Sequence, residues 1–106
     1  MNEIMLIESP VQMMTGETIT YSVTWLGASN LSSPNALVYR RGTDISATAM
    51  PSGAHAVSGN VQTLKPLTAG SNDGGKKYVV VIECVVDGNT ERRKLIVDIV
   101  KSQAEG

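Results

Sequence analysis

Few residues in this sequence have side chains that could do nucleophilic or acid–base chemistry. The chain of 106 residues has one histidine, His55, and one cysteine, Cys84. A serine nucleophile needs a base within hydrogen-bond reach, and no Gly-x-Ser-x-Gly elbow accompanies His55 anywhere in the chain. Cys84 lies between Ile82 and Val86 on the inward face of a predicted strand, where apolar surroundings raise the pKa of a thiol and make it inert. We therefore interpret both residues as structural and predict a protein without catalytic residues.

The sequence also has no residue pattern that indicates a metal or cofactor site. One histidine excludes a histidine-based metal cluster, and one cysteine excludes an internal disulfide. The acidic residues are scattered singly, although strands distant in sequence could bring them together. Asp73-Gly74-Gly75 resembles fragments of phosphate and calcium loops, but it lacks both the Gly-Lys-Ser/Thr of a P-loop and the terminal glutamate of a calcium loop. We expect a plain flexible turn there and no cofactor or metal.

Two basic clusters, Arg40-Arg41 and Arg92-Arg93-Lys94, raise the question of nucleic-acid binding. Neighbours in a strand point to opposite faces, so only alternate members of each cluster share a surface. Nucleic-acid binding favours basic residues beside stacking aromatics, whereas the net charge is -1. The four aromatic residues all fall in patterns that we interpret as inward-facing: Tyr21, Trp25, Tyr39 and Tyr78. We interpret the basic clusters as a solvated edge or the rim of a protein contact, and predict no nucleic-acid partner.

Two segments are predicted as strands with the clearest patterns. From Thr18 to Trp25, polar and apolar residues alternate without error, which is typical of a strand with one buried face, and Trp25 should fill the core. From Lys76 to Asp87, both faces are largely apolar, so this strand should be central, with its outer side partly covered. It ends at a tight turn, Asp87-Gly88-Asn89, and residues 91–100 should return as its antiparallel partner.

Weaker patterns fill the rest of the chain with short strands and loops. Short strands are predicted at 4–7, 11–14, 36–41, 45–49 and 54–64, with Ile45, Ala47 and Ala49 on one face of the fourth and Gly59 as a candidate bulge in the last. Loops are predicted at 27–34, 50–53 and 68–75, and the last of these should be the most mobile.

The number and spacing of these strands predict the fold class. Seven or eight short strands at roughly 8–12-residue intervals are typical of an all-β, immunoglobulin-like or fibronectin type III-like antiparallel β-sandwich, with a small barrel as the alternative. Tyr78 follows Leu64, Leu67 and a glycine-containing loop, an order that resembles the tyrosine corner of immunoglobulin-like domains. We expect one domain over residues 1–100 and a flexible tail over 101–106. The apolar runs are too short for a membrane span or a signal peptide.

Residues 16–26, Gly-Glu-Thr-Ile-Thr-Tyr-Ser-Val-Thr-Trp-Leu, carry a family resemblance. They are similar to the Tyr-x-x-x-Trp strand of small immunoglobulin-like virion proteins of tailed phages and prophages, the family described as phage fiber–tail adaptor-like. The later order of a glycine-marked loop, a tyrosine-led strand, a charged hairpin and a valine-rich strand extends the similarity over residues 16–100.

The resemblance implies a structural virion component, assembled in the host cytoplasm, at the tail or the head–tail junction. Its partners would be other virion proteins or further copies of itself, through the loops at 27–34 and 68–75 or an edge strand. The alternative is a ligand- or carbohydrate-binding accessory module of a bacterial surface protein, which would expose two or three aromatics on a flat face. An enzyme would need a cleft that brings His55 together with acidic residues from other strands.

Overall fold

The computed structural model describes residues 3–5 and 11–101, and these residues form eleven short strands and one helical turn. The strands, in chain order, are β1 (Glu3–Met5), β2 (Val11–Met14), β3 (Thr18–Ile19), β4 (Ser22–Leu26), β5 (Leu31–Arg40), β6 (Thr43–Asp44), β7 (Ala56–Ser58), β8 (Val61–Thr63), β9 (Leu67–Thr68), β10 (Lys77–Val86) and β11 (Asn89–Val100). The helical turn, α1 (Ser46–Ala49), lies between β6 and β7. No helix in this part of the chain is long and apolar enough to cross a membrane.

The strands are arranged in two main sheets. One has the order β1-β4-β8-β7, and the other has the order β2-β11-β10-β5-β6. A short pair, β3-β9, lies along the same two chain segments as β4 and β8. All the pairings are antiparallel except that of β2 with β11, which is parallel. The predicted all-β sandwich is therefore confirmed, and its two sheets are separate rather than closed into a barrel.

The core lies between the sheets and is supplied by alternate residues of the longest strands. In β10 the buried residues alternate strictly with half-buried ones, as expected for a central strand. Trp25 is completely buried, as predicted, and burial of a large apolar side chain contributes roughly 2–3 kcal/mol. The largest fully buried side chains are Trp25, Tyr78, Met13, Leu64, Leu67, Ile82, Leu95, Ile99, Gln62, Val23, Val38 and Val80.

The turn between β10 and β11 also forms where the sequence places it. Val86 pairs with Asn89, so Asp87 and Gly88 are the two central residues of the hairpin turn. Both have positive φ, 49° and 88°, which this turn requires. The Asp87 carboxylate accepts hydrogen bonds from the backbone N–H groups of Ser29 and Asn30.

The strand predicted at 45–49 is wrong, because Ser46–Ala49 forms a helical turn instead. Asp44 Oδ1 accepts hydrogen bonds from both the N–H and the hydroxyl of Ser46, and Ser46 Oγ accepts one from the N–H of Val38. Such side-chain bonds to nearby backbone compete with a strand ladder. Alanine is the best helix former, so the same small residues that fit an alternating pattern also fit a helical turn.

The loop predicted at 27–34 is partly wrong, because β5 begins at Leu31. The register of β5 on β10 shifts between Glu83 and Val85, so Ser33 and Pro34 together lie opposite the single residue between those two. This is a β-bulge, and Ser33 has a positive φ of 49° within it. The extra residue interrupts the alternation of inward and outward side chains along the strand, so the sequence pattern did not predict the part of β5 that precedes the bulge.

The sequence pattern suggested that Gly59 forms a bulge, but the structure places it in a turn. Ser58 pairs with Val61, so Gly59 and Asn60 form a two-residue turn that divides the predicted strand 54–64 into β7 and β8. Gly59 has a φ of 60°, which is typical of such a turn. The second half of the predicted strand 4–7 lies outside the described residues, as does the predicted tail after Lys101.

Candidate functional site

The outer face of the five-stranded sheet has an apolar patch. Leu37 and Tyr39 of β5 alternate with buried Ala36 and Val38, so they point away from the core and are half-buried. By the same alternation, β10 and β11 place half-buried residues beside them. We call this set the apolar patch, and its members are Leu37, Tyr39, Val79, Val81 and Ile96.

The strand register brings the members of the apolar patch together. Val79 lies opposite Tyr39 on one side and opposite Ile96 on the other. Val81 lies opposite Leu37. Directly opposite side chains on one face of a sheet lie about 5 Å apart, so the five form one continuous surface.

Tyr39 is therefore placed differently from our prediction that all four aromatics point inward. Tyr21, Trp25 and Tyr78 are buried, but Tyr39 is half-buried on the outer face. Both faces of the run from 36 to 39 are apolar, so periodicity alone does not tell which of them faces the core.

One end of the apolar patch is bounded by an ion pair. Arg92 Nε donates to Glu83 Oε2 at 2.6 Å, and both residues lie on the outer face. Together with Asn35 and members of the patch, they line a shallow depression of about 240 Å³. This end of the surface carries no excess charge, because each ion neutralises the other.

The other end of the apolar patch opens into a basic groove. Arg41, Lys76 and Lys77 line it together with Gly42, Gly75 and Val79, and its volume is about 410 Å³. No acidic residue lines this groove. We call these six residues the basic groove. Val79 belongs to both the groove and the apolar patch.

A buried carboxylate anchors the loop beneath the basic groove. Asp73 is 5% exposed, and it accepts hydrogen bonds from Arg40 Nη1 at 2.9 Å and from the Tyr78 hydroxyl. Lys76 Nζ lies 3.5 Å from the same carboxylate. Burial by itself raises the pKa of Asp73, but the hydrogen bond from Tyr78 and the charges of Arg40 and Lys76 outweigh it, so the pKa lies below its ordinary value. Gly74 and Gly75 form a turn, as the sequence predicts, and the Lys76 N–H donates to the Asp73 carbonyl across it at 2.9 Å, but the Asp73 side chain in this turn is buried.

The tyrosine-corner resemblance of Tyr78 agrees with the structure. The Tyr78 hydroxyl accepts a hydrogen bond from the backbone N–H of Gly70 at 3.0 Å, eight residues upstream. Burial and the hydrogen bond to Asp73 raise the pKa of Tyr78 above its ordinary value. The hydroxyl therefore joins the loop before β10 to the core, which is a structural role.

A buried hydrogen-bond network around Trp25 joins the two sheets. Trp25 Nε1 donates to Gln62 Oε1 at 3.0 Å, and Gln62 Nε2 donates to the carbonyl oxygens of Asn35 and Glu83. Arg93 lies over the indole, with Cζ 5.5 Å from the ring centroid. Sequence reasoning missed Gln62, although a buried indole N–H usually needs an acceptor and Gln62 occupies an inward position of β8. Because Trp25 is inside this network, it does not form an aromatic binding platform.

The residues with reactive side chains are not brought together. His55 Nδ1 accepts a hydrogen bond from the Lys65 N–H at 3.1 Å, and burial followed by the Lys65 charge lowers the pKa of His55. The depression of about 190 Å³ beside it has no acidic lining residue. Burial raises the pKa of Cys84, whose thiol donates to the Ser32 carbonyl. Within residues 11–101, no three His, Cys, Asp or Glu side chains are grouped so as to hold a metal.

The basic clusters are divided between the two faces, as their spacing predicts. Arg40 binds Asp73, whereas Arg41 lines the basic groove. Arg93 lies over Trp25, whereas Arg92 pairs with Glu83 on the outer face. Their interpretation as the rim of a protein contact stays a prediction.

Comparison with solved structures defines the fold. No family model matches the sequence, and no curated protein matches it. A chain in the crystal structure of a mutant titin M10–obscurin-like 1 Ig complex superposes with a TM-score of 0.54 at 17% identity, over 95% of this chain and 94% of that chain. For a chain in the crystal structure of the titin M10–obscurin-like 1 Ig complex in space group P1, the TM-score is 0.52 at 15% identity, over 95% of both chains.

A third similar structure contains the titin domains z1z2 in complex with telethonin. Its TM-score is 0.53 at 13% identity, over 95% of this chain and 48% of that chain. At these identities the likeness shows the fold alone, and that fold is immunoglobulin-like.

Proposed function

We propose that this protein is a structural component of a tailed-phage or prophage particle, which acts at the tail or head–tail junction through contacts with other particle proteins. The observation that carries the proposal is the apolar patch beside the basic groove, on the outer face of a rigid sheet. A half-buried apolar surface with a charged rim is typical of a protein interface. The particle itself is inferred from the resemblance of residues 16–26 to the phage fiber–tail adaptor-like family.

The placement of the reactive side chains supports an assembly role over catalysis. His55 and Cys84 are each bonded to the backbone, and they lie in different parts of the fold. A nucleophile needs a base within hydrogen-bond reach. Among the residues described, the Cys84 thiol donates to the Ser32 carbonyl, and His55, the one imidazole, accepts from the Lys65 N–H. Partners proposed for this protein are therefore other particle proteins or further copies of the chain.

The test is to look for the protein in purified particles. Particles induced from the strain that encodes the gene would be separated on a density gradient and analysed by quantitative mass spectrometry. We expect the protein to co-sediment with the particle proteins at a fixed ratio across the peak. A strain with the gene deleted is the control, and electron microscopy should then show incomplete particles. Normal particles from that strain, or a protein found only in particle-free fractions, would contradict the proposal.

A further inference from the structure

We infer that the apolar patch and the basic groove together bind one extended segment of a partner protein, with an apolar side chain on the patch and acidic residues along the groove. This inference rests on the proposed assembly function and adds to it the surface and the chemistry of the partner.

The two features form one surface because they share Val79. Its side chain lines the basic groove and lies directly opposite Tyr39 and Ile96 in the sheet. A segment that follows the strand direction from Val81 through Val79 therefore reaches the groove without leaving the outer face. Consecutive outward residues of a strand lie about 7 Å apart, so a few residues of a partner would span both features.

The charges on this surface favour an acidic partner. Lys76 is partly neutralised by Asp73, but Arg41 and Lys77 make no ion pair within residues 11–101. Lys94 of β11 lies opposite Val81, and it too has no ion pair within that part of the chain. Asp98 lies opposite Lys77 and offsets part of this charge. The surface is therefore positive at the groove and neutral at the Glu83–Arg92 end, so the acidic residues of the bound segment should lie at the groove.

The same charges disfavour two other occupants. A second copy packed face to face would offer few carboxylates to Arg41, Lys77 and Lys94, because Glu83 is already paired with Arg92 and Asp98 lies opposite Lys77, and like charges across an interface are costly. A single-stranded nucleic acid would need several stacking aromatics, and Tyr39 is the one aromatic on this face, because the other three are buried. A polypeptide with carboxylates fits both the charge and the apolar patch.

The experiment uses a random 12-residue peptide library displayed against the immobilised full chain. We expect the enriched peptides to place an aromatic or aliphatic residue next to two or more Asp or Glu residues. Chemical-shift mapping with a synthetic copy of one enriched peptide should then move the resonances of Leu37, Tyr39, Val79 and Val81. Enrichment of peptides without this acidic bias, no enrichment at all, or shifts confined to the four-stranded sheet would overturn the inference.

Charge-reversal variants test whether binding depends on the cations of the basic groove or only on the overall charge of the protein. Lys77→Glu and Arg41→Glu should each weaken binding of the synthetic peptide about tenfold, because a cation is replaced by a repelling charge. Ser22→Glu is the control: it adds a carboxylate at an exposed position of β4, in the four-stranded sheet, and should alter binding by less than about twofold. Tyr39→Ala should weaken binding as well. Equal effects of Lys77→Glu and Ser22→Glu would contradict the inference, provided that thermal unfolding shows all variants folded.

The outcome is distinguishable from that of the proposed function. If the protein is present in particles but Lys77→Glu is incorporated as well as the natural chain, the assembly function stands and the inferred surface is wrong. If the protein is absent from particles but acidic peptides bind the groove, the surface stands and the particle assignment is wrong.

Discussion

At the scale of single residues, the buried polar side chains hold the fold together at two points. The Asp73 carboxylate collects donors from Arg40, Lys76 and Tyr78, and the Gln62 amide joins Trp25 to two backbone carbonyls. An unpaired buried polar group costs about 1–3 kcal/mol, so removal of one member should destabilise the others. Asp73, Tyr78, Gln62 and Trp25 are buried and bonded inside the protein, so their role is structural, whereas Lys76 also lines the basic groove.

Tyr78→Phe tests the first of these points. The change leaves Asp73 without one buried donor and the Gly70 N–H without its acceptor, so we expect a loss of about 1–3 kcal/mol in the free energy of unfolding. Urea denaturation would measure it. Tyr39→Phe is the matched control and should change stability by less than about 0.5 kcal/mol, because its ring lies on the outer face. Equal losses in the two variants would show that the Tyr78 hydroxyl contributes nothing specific.

The stability of the protein should fall on mild acidification because of His55. Its pKa in the folded protein is below its value of about 6.5 in the unfolded chain, so between these two values the unfolded chain binds more protons. The stabilisation is present above about pH 6.5 and is lost as the pH falls toward the folded pKa. Protonation also removes the acceptor for the Lys65 N–H.

The measurement for His55 is the free energy of unfolding at about pH 7.5 and about pH 5, on either side of the ordinary pKa of histidine. His55→Gln keeps an acceptor near the Lys65 N–H but does not titrate, so its stability should differ less between the two pH values. An identical pH dependence in the variant and the natural chain would refute the role of His55.

At the scale of elements, the bulge in β5 decides how the two sheets are connected. It interrupts the ladder near Asn35 and Glu83, and the carbonyls of these residues are the acceptors for the Gln62 side chain from the opposite sheet. The bulge thus frees acceptors that one buried amide can bind, and that amide in turn accepts from Trp25. The bulge, β8 and β4 are therefore linked through a single side chain.

Gln62→Leu should remove this link while keeping a similar volume. Trp25 Nε1 and the two carbonyls would be left without partners, so we expect a loss of about 1–3 kcal/mol in the free energy of unfolding. Gln12→Leu, at an exposed position of β2, is the control and should change stability by less than about 0.5 kcal/mol. A Gln62→Leu variant as stable as the control would mean that the network adds no stability.

At the scale of the whole molecule, the net charge of -1 conceals a separation of charge. The basic groove lies on one outer face, although basic and acidic residues are nearly equal in number over the chain. On β11, Arg93 points inward over Trp25, and its pair with Glu91 places two charges beside the sheet. Inward-pointing charges deter a strand from pairing with strands of other molecules. The fold therefore discourages nonspecific association while one face stays open to a charged partner.

The burial of Trp25 predicts its fluorescence. Because the indole is completely buried, acrylamide should quench it weakly in the native protein and strongly in concentrated guanidinium chloride. Free N-acetyltryptophanamide measured in both solvents is the control for solvent effects. Quenching of the native protein as efficient as that of the free indole would contradict the sandwich core and would favour an exposed aromatic platform.

Local pattern was sufficient for the strands that have one apolar face and for the tight turns. The strand predicted from Thr18 to Trp25 is interrupted after Ile19 and divided between β3 and β4, whereas the largely apolar residues from Lys77 to Val86 form one strand, β10. Alternation specifies these strands because side chains of a strand alternate between its faces. Asp87-Gly88 specifies its turn because positive φ is required there and glycine supplies it freely. The burial of Trp25 and Cys84 was predicted from the same alternation, and the structure confirms it.

Other features depend on partners far away in the chain, so only the tertiary structure decided them. The Asp73 carboxylate can be buried because the guanidinium of Arg40, thirty-three residues earlier in the chain, donates a hydrogen bond to it. The Gln62 amide can be buried because the indole N–H of Trp25, thirty-seven residues earlier, donates to its oxygen. The outward position of Tyr39 follows from which apolar face of β5 meets the opposite sheet. Sequence periodicity records that a face is apolar, but whether that face meets core or solvent depends on the sheet packed against it. The physical reason is that burial is a property of the assembled layers and not of any one strand.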